Sequence, residues 1–143
     1  KINYPGEQEE LEILRLQTRP SVEQAIARVI TRDQVLELQN KTAQIHVANS
    51  VLTYINSLVR ATRQRREIYV GASPRAGIAL LKTARAVALL AGRTYVVPDD
   101  VKKMAHSAMR HRLLLLPEVE VEGKTPDDII DDLLATVPVP KDE

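Results

Sequence analysis

The chain has 143 residues and a formal net charge of +1, which suits one domain with a buried core. Its apolar residues are mainly aliphatic or alanine, with no Phe or Trp, a composition typical of packed helices. Cysteine is absent, which excludes disulfides and thiolate metal sites and favours a reducing, cytoplasmic location. No apolar run approaches the roughly 18 residues of a membrane-spanning helix. Because the chain opens at Lys1 without a Met, we expect a fragment of a longer protein.

The small net charge conceals two segments of opposite sign. Residues 60–112 contain twelve Lys or Arg and three acids, a net charge of +9. Residues 118–143 contain nine acids and two lysines, a net charge of −7. A basic segment of this kind can bind nucleic acid, face nucleotide phosphates or an acidic neighbouring domain, or form a solvated helical surface.

The apolar periodicity predicts an all-α bundle of about five to six helices. They are predicted over residues 7–17, 32–45, 48–66, 74–91, 98–112 and 126–136. Residues 1–6 are interpreted as the end of a strand or a linker, residues 7–137 as the helical domain, and residues 138–143 as a flexible tail. The helix that begins at Pro74 is apolar around most of its circumference, so we expect it to be the central, buried helix.

The segments between these helices carry weaker signals. Residues 19–31 are expected to be irregular or briefly helical, and residues 93–97 to be extended. Gly92 is expected to end the central helix as its C′ residue. Residues 117–125 are predicted to form a loop or short hairpin, because valines alternate there with glutamates. The β-prone residues 45–47 could pair with residues 29–31 as a minimal two-strand ladder.

The most informative motif is the run Gly71-Ala72-Ser73-Pro74-Arg75-Ala76 at the start of the central helix. We expect Ser73 to cap the helix by accepting hydrogen bonds from its first-turn N–H groups. Pro74 suits the first helical position, and Gly71 permits a sharp turn before it. The side chain of Arg75 adds a positive charge to the positive end of the helix dipole. This arrangement favours an anion, with phosphate the best fit.

Motifs for a complete active site are absent from the sequence. The five glycines form neither G-x-x-x-x-G-K-[ST] nor G-x-G-x-x-G. His106 and His111 are five residues apart, a poor fit to a zinc pair. Two acidic pairs, at 127–128 and 131–132, are interpreted as a solvated helix face rather than a cation site. We therefore expect no metal site and no catalytic activity from this chain alone.

The central motif resembles the second-sensor motif of MoxR-type AAA+ ATPases, which lies in the helical lid that follows their nucleotide-binding core. Three further segments resemble the same lid in the same order. They are YINSLVRATR at 54–63, GRTYVVPDDV at 92–101 and RHRL at 110–113. Tyr4-Pro5 with Glu9-Glu10 is similar to the junction that leaves the core. The resemblance extends over residues 4–117.

This resemblance implies roles for particular residues. Arg75 would be the sensor arginine that reaches from the lid to the phosphates of ATP bound in the core. The residues Ala72, Ser73 and Pro74 would support nucleotide binding by shaping the turn. The basic group at the end of the preceding helix would meet the core or a neighbouring subunit, or else remain solvated. It consists of Arg60, Arg63, Arg65 and Arg66.

The resemblance also implies cofactors and partners for the intact protein. ATP and Mg²⁺ would bind between core and lid, subunits would form a hexameric ring, and hydrolysis would remodel partners such as proteins with von Willebrand A-type domains. Two alternatives stay open, a helical nucleic-acid-binding module that uses residues 60–112 and a non-catalytic helical adaptor. The near absence of base-stacking aromatic residues and of a recognition-helix pattern makes nucleic acid the weaker candidate.

One position departs from the family pattern. The family often has a threonine before Pro-Asp-Asp, where its hydroxyl can cap the helix, and here Val97 occupies that place. A valine side chain cannot accept the capping hydrogen bond, so this helix should lack roughly 1 kcal/mol of stabilisation.

Overall fold

The computed structural model describes residues 4–18 and 27–140, and the chain divides into two units, residues 1–31 and 32–143. In the first unit, helix α1 extends over Glu7–Gln17, as predicted. The N–H of Gly6 donates to Glu9 Oε2 at 2.9 Å, and acidic residues occupy the first turn, where the helix dipole favours them. Residues 27–31 form neither helix nor strand, and the rest of the predicted irregular segment, 19–26, lies outside the described residues.

The second unit is a helical bundle with a small sheet. Its helices are α2 (Arg32–Gln44), α3 (Asn49–Thr62), α4 (Pro74–Leu90), α5 (Pro98–Met109), α6 (Pro117–Val121) and α7 (Pro126–Thr136). A 3₁₀ turn follows α5 at Arg110–Arg112. The strands β1 (Ile68–Val70) and β2 (Leu114–Leu115) pair antiparallel. The predicted all-α class with a minimal strand pair is thereby confirmed.

The predicted location of the strand pair was wrong. The backbone of His46 is engaged by residues 94–96, because its N–H donates to the carbonyl of Thr94 at 2.9 Å and its carbonyl accepts from Val96 N–H at 3.0 Å. These bonds form an isolated parallel bridge between His46 and Tyr95, and the strand pair of this unit is β1 with β2. A pairing between residues 46 and 95 leaves no local sequence signal.

Helix α4 lies at the centre of the second unit, as predicted, and packs against α2, α3 and α5. Four small or aliphatic residues at every fourth position form its fully buried stripe. They are Ala76, Leu80, Ala84 and Ala88. Alanines on this stripe let α5 approach closely with its own buried residues Val101 and Ala105. The apolar core therefore fixes the orientation of α4 and of the residues at its start.

Two helix ends and one loop differ from the predictions. Helix α3 ends at Thr62 rather than at 66, because the chain must turn there to enter β1. Helix α5 ends at Met109 and tightens into the 3₁₀ turn. The predicted loop at 117–125 contains α6, in which Val119 is buried while Val121 is 87% exposed. The alternation with glutamate is therefore not a strand pattern, since both valines of a strand would share one face.

The end of α4 follows the prediction. Gly92 has a φ of +72°, its N–H donates to the carbonyl of Leu89, and the N–H of Arg93 donates to the carbonyl of Ala88. This is the Schellman arrangement, for which glycine is the favoured C′ residue.

Candidate functional site

The candidate site is the exposed start of α4. Pro74 occupies the first helical position and Arg75 the second, and both side chains are exposed. Within residues 4–18 and 27–140, the guanidinium of Arg75 has no hydrogen-bond or ion-pair partner, and the first turn of α4 contains no acid. A free cation at the positive end of a helix dipole suits an anionic ligand.

The loop before Arg75 is held by the end of α3. The backbone N–H of Ala72 donates to Oγ1 of Thr62 at 2.9 Å, and Nε of Arg63 donates to the carbonyl of Ala72 at 2.9 Å. The hydroxyl of Thr62 in turn donates to the carbonyl of Val59 at 2.6 Å. Both Ala72 and Thr62 are fully buried. The entry to α4 is therefore fixed by buried hydrogen bonds rather than by solvent.

Gly71 is required by a close approach between this loop and α3. A Cβ atom at position 71 would lie 2.8 Å from Cγ and 3.0 Å from Cα of Arg63. Because one of these atoms belongs to the backbone, a side-chain rotation cannot relieve the overlap. The φ of Gly71 is not in the left-handed region, so the reason for glycine at this position is the close approach to α3 and not the predicted conformational freedom.

Ser73 occupies the N-cap position of α4, but the predicted capping contact was wrong. Its side chain makes no capping hydrogen bond, and the Ala76 N–H instead donates to the backbone carbonyl of Ser73 at 2.9 Å. The hydroxyl of Ser73 is exposed. At the start of α4, the N-cap side chain therefore does not accept a hydrogen bond from the first N–H groups of the helix, as N-cap side chains usually do.

The basic group at the end of α3 is divided among several places. Arg60 and Arg63, together with Pro74 and Ile78, line a groove of about 290 Å³ between α3 and α4, directly beside the start of α4. The side chain of Arg65 instead donates to Oγ1 of Thr136 at 3.1 Å. Arg66 is exposed in the turn before β1 and does not line the groove. The structure thus brings two of the predicted interface residues, Arg60 and Arg63, into one groove with Pro74 at the start of α4, whereas Arg75 does not line this groove.

Two further cations of α4 face a different groove. Lys82 and Arg85, with Gln39 and Thr42, line the groove between α2 and α4. Within the described part of the chain, Nε of Arg85 is buried without a hydrogen-bond partner. Arg75 does not line this groove, so the three cations of α4 do not form one continuous site.

Two of the nine acids of the acidic segment, Asp127 and Asp131, pair with side chains of the basic segment. Nε of Arg110 lies 3.0 Å from Oδ1 of Asp127, and Nε2 of His106 lies 3.0 Å from Oδ1 of Asp131. Nζ of Lys124 lies 3.7 Å from Oε1 of Glu67. The remaining acid of the first α7 turn, Asp128, receives hydrogen bonds from Thr125 that lower the pKa of its carboxyl group. These contacts neutralise part of the basic segment and weaken the nucleic-acid interpretation. Among the described residues, no three His, Asp or Glu side chains form a group that could hold a metal ion.

A family model described as the AAA lid domain matches residues 60–133, which is over half of the chain. The chain belongs to the AAA lid domain family. The match includes the whole α3–α4 connection and the Arg75 motif. Within the described residues, no helix of this lid domain combines the length and apolarity that a membrane span needs.

The relatives of this lid domain include proteins named MoxR. It is 31% identical to the chaperone MoxR1 of Mycobacterium tuberculosis, with 98% of this chain and 39% of MoxR1 covered. It is 36% identical to YeaC of Bacillus subtilis, with 98% of this chain and 44% of YeaC covered. A crystal structure of a candidate ATPase from Cytophaga hutchinsonii superposes with a TM-score of 0.79 at 31% identity, with 98% of this chain and 45% of that chain covered. The chain thus spans less than half the length of these relatives and is a MoxR-like AAA+ lid domain.

Sequence reasoning assigned no role to Thr62. The residue lies within the family-like segment 54–63, but its partner Ala72 is ten residues away and follows a strand. A threonine at a helix end is common, so only the packing of the lid domain distinguishes it.

Proposed function

We propose that this lid domain belongs to an ATP-hydrolysing AAA+ protein, in which Arg75 contacts the phosphates of a nucleotide held by the core. Lid movement would then couple hydrolysis to chaperone-like remodelling of partner proteins. The observation that carries the proposal is the exposed guanidinium of Arg75, which has no partner among the described residues and lies on the first turn of the centrally packed helix α4.

The chemistry of the start of α4 fits a phosphate group. A guanidinium offers planar, paired N–H donors that match phosphate oxygens, and it stays charged at all physiological pH values. The dipole of the seventeen-residue helix α4 adds partial positive charge at the same place. In the free lid, the Arg75 guanidinium and the positive end of the α4 dipole repel each other, and a bound anion would relieve that repulsion.

The lid supplies only part of a nucleotide site. Ala72 and Pro74 contribute the shape of the turn, and Ser73 leaves its hydroxyl unused. A bound Mg²⁺–ATP would supply the scissile phosphate and its metal, and the core would hold both, because the described lid residues form no metal-ligating group. The role of this chain is then to place one cation against the phosphates and to report their presence through the position of α4.

We further propose that the groove between α3 and α4 faces the core or a neighbouring subunit. Arg60 and Arg63 lie at this groove, and Leu52 and Ile78 are 39% and 53% exposed there. Arg66 would extend the same basic surface. A hexameric ring and partners with von Willebrand A-type domains follow from the MoxR resemblance and remain proposals for the intact protein.

The test is the Arg75→Ala variant of the intact ATPase. Losing the guanidinium should lower kcat for ATP hydrolysis at least about tenfold, because charge stabilisation of the transferring phosphoryl group is lost. Lys82→Ala is the matched control, since Lys82 is an exposed cation seven residues further along the same helix. It should keep wild-type turnover.

Normal turnover in Arg75→Ala would exclude Arg75 from the mechanism. An equal loss in Lys82→Ala would show that general basicity matters rather than this position. Salt-sensitive binding of a DNA duplex by the 143-residue chain would instead favour the nucleic-acid alternative.

A further inference from the structure

We infer that Thr62 is a positioning residue for Arg75, and that its buried hydroxyl determines where the start of α4 presents the guanidinium. The inference rests on the proposed function of Arg75. Thr62 does not contact a nucleotide itself. It acts through the loop 71–73.

The hydroxyl of Thr62 both accepts and donates a hydrogen bond. It accepts the N–H of Ala72 at 2.9 Å and donates to the carbonyl of Val59 at 2.6 Å. The Thr62 side chain is fully buried, so water cannot replace either contact. Thr62 and Asp100 are the buried polar or charged residues among those described, and Asp100 is paired with Arg93 elsewhere. The hydroxyl therefore joins the last turn of α3 to the loop that begins α4.

The loop is anchored on both sides of the exposed triplet. Ala72 on one side and Ala76 on the other are both fully buried, and Ser73, Pro74 and Arg75 between them are exposed. Ala76 is fixed by the core packing of α4. Ala72 is fixed by Thr62 and by Nε of Arg63. Losing the Thr62 contact would free one anchor, and the backbone of Arg75 lies only three residues away.

Thr62 is a stronger anchor than Arg63. The Arg63 side chain is long and its residue is exposed, so water can compete for its single, part-buried Nε contact. The absence of a side chain at Gly71 lets the loop approach α3 closely enough for the Thr62 contact to form. The geometry thus assigns the positioning role to a short, buried, two-way hydrogen-bonding side chain.

The experiment is a double-mutant cycle in the intact ATPase. Thr62→Val keeps nearly the same shape but removes the hydroxyl, and it should lower kcat for ATP hydrolysis about three- to tenfold. In the Arg75→Ala background, Thr62→Val should cause no further loss, because the group that it positions is gone. Thr62→Ser should restore turnover to within about twofold of wild type, since serine keeps the hydroxyl.

Thr83→Val is the matched control. The hydroxyl of Thr83 donates to the carbonyl of Ala79 in α4, with no link to the loop. Its removal should leave turnover unchanged. An independent readout is hydrogen exchange of the Ala72 amide in the folded chain, which should become at least about tenfold faster in Thr62→Val and stay unchanged in Thr83→Val.

Each outcome decides the inference. Wild-type turnover in Thr62→Val together with impaired Arg75→Ala would overturn the positioning role and leave the proposed function standing. Wild-type turnover in both variants would overturn the proposed function itself. An equal further loss in the Arg75→Ala background would reduce Thr62 to a structural role and overturn the inference.

A second variant tests the same contact from the side of the loop. Gly71→Ala keeps the hydroxyl but pushes the loop away from Arg63. It should lower turnover in the wild-type background and have no further effect in Arg75→Ala. Additive losses would again overturn the inference.

Discussion

Helices α5 and α7 begin with the same three residues, Pro-Asp-Asp, yet their starts are held in different ways. In α7, Thr125 N–H donates to Asp128 Oδ2 at 2.7 Å, and the Asp128 N–H donates to Oγ1 of Thr125 at 3.3 Å. In α5, the equivalent carboxylate of Asp100 accepts the Val97 N–H at 2.9 Å and two guanidinium N–H groups of Arg93 at 2.8 and 2.6 Å.

The contact at the start of α7 is local, whereas the contact at the start of α5 is a tertiary one. The α7 contact closes within four consecutive residues, between the exposed Thr125 and the exposed Asp128, and forms a capping box. The α5 contact has a buried carboxylate and a half-buried guanidinium, and it depends on Arg93, whose place is set by the Schellman end of α4. One acid therefore stabilises a single helix, whereas the other joins α4 to α5, the most extensively packed pair of helices in the lid domain.

The largest effect is expected from Asp100→Ala. The substitution leaves the Val97 N–H and the Arg93 guanidinium without their partner, and it should lower the free energy of unfolding by about 2 kcal/mol. Urea unfolding of the chain measures this. Asp99→Ala is the control, because Asp99 pairs with Lys102 on the surface and should contribute no more than about 0.5 kcal/mol. Similar losses in both variants would contradict the tertiary role of Asp100.

The Asp100 contact also predicts a pH dependence. Burial alone would raise the pKa of Asp100, but the hydrogen bonds from Arg93 and the Val97 N–H outweigh burial and lower it. A carboxyl group with a lowered pKa in the folded state stabilises the fold at neutral pH. That stability is lost as the pH falls below about 4, through the folded pKa. The acid-induced loss of stability should therefore be smaller in Asp100→Asn than in wild type, and equal losses would contradict the contact.

A smaller effect is expected from Thr125→Ala. Loss of the cap should lower the free energy of unfolding by about 1 kcal/mol. Ser73→Ala is the matched control, since Ser73 occupies the N-cap of α4 without a capping side-chain bond and should contribute less than about 0.5 kcal/mol. If both variants lose the same stability, the serine caps α4 in solution.

The smallest effect is expected from Val97→Thr, which gives α5 the cap residue of α7. The new hydroxyl can accept the Asp100 N–H, as Thr125 does for Asp128, and should add roughly 0.5 kcal/mol. Part of the gain is offset because Val97 is half-buried and loses a methyl group. Thermal unfolding measures the change, and an unchanged or lower Tm would contradict the capping geometry.

Local signals account for what the sequence predicts well. Pro74, Pro98 and Pro126 mark helix starts within one residue, and Gly92 marks a helix end, because each acts within a single turn. The place and exposure of Arg75 follow from the same local pattern.

Long-range contacts account for what the sequence does not predict. The pairing of His46 with Tyr95 and the contact of Thr62 with Ala72 join segments that neither period nor spacing links. The missing Ser73 cap has the same origin, since the loop is held from α3 and not by its own serine. At the candidate site, Arg75 could be predicted from the sequence, but the contacts of Thr62 and Arg63 that hold its loop could not.

The close approach at Gly71 has a consequence for sequence tolerance. In a library of all single substitutions, loop positions usually accept many residues, and buried positions accept few. Position 71 should accept only glycine without loss of stability, since even alanine would overlap the backbone of Arg63. A loop position that tolerates as few substitutions as a core position would identify, from sequence data alone, where the loop before Arg75 contacts the end of α3.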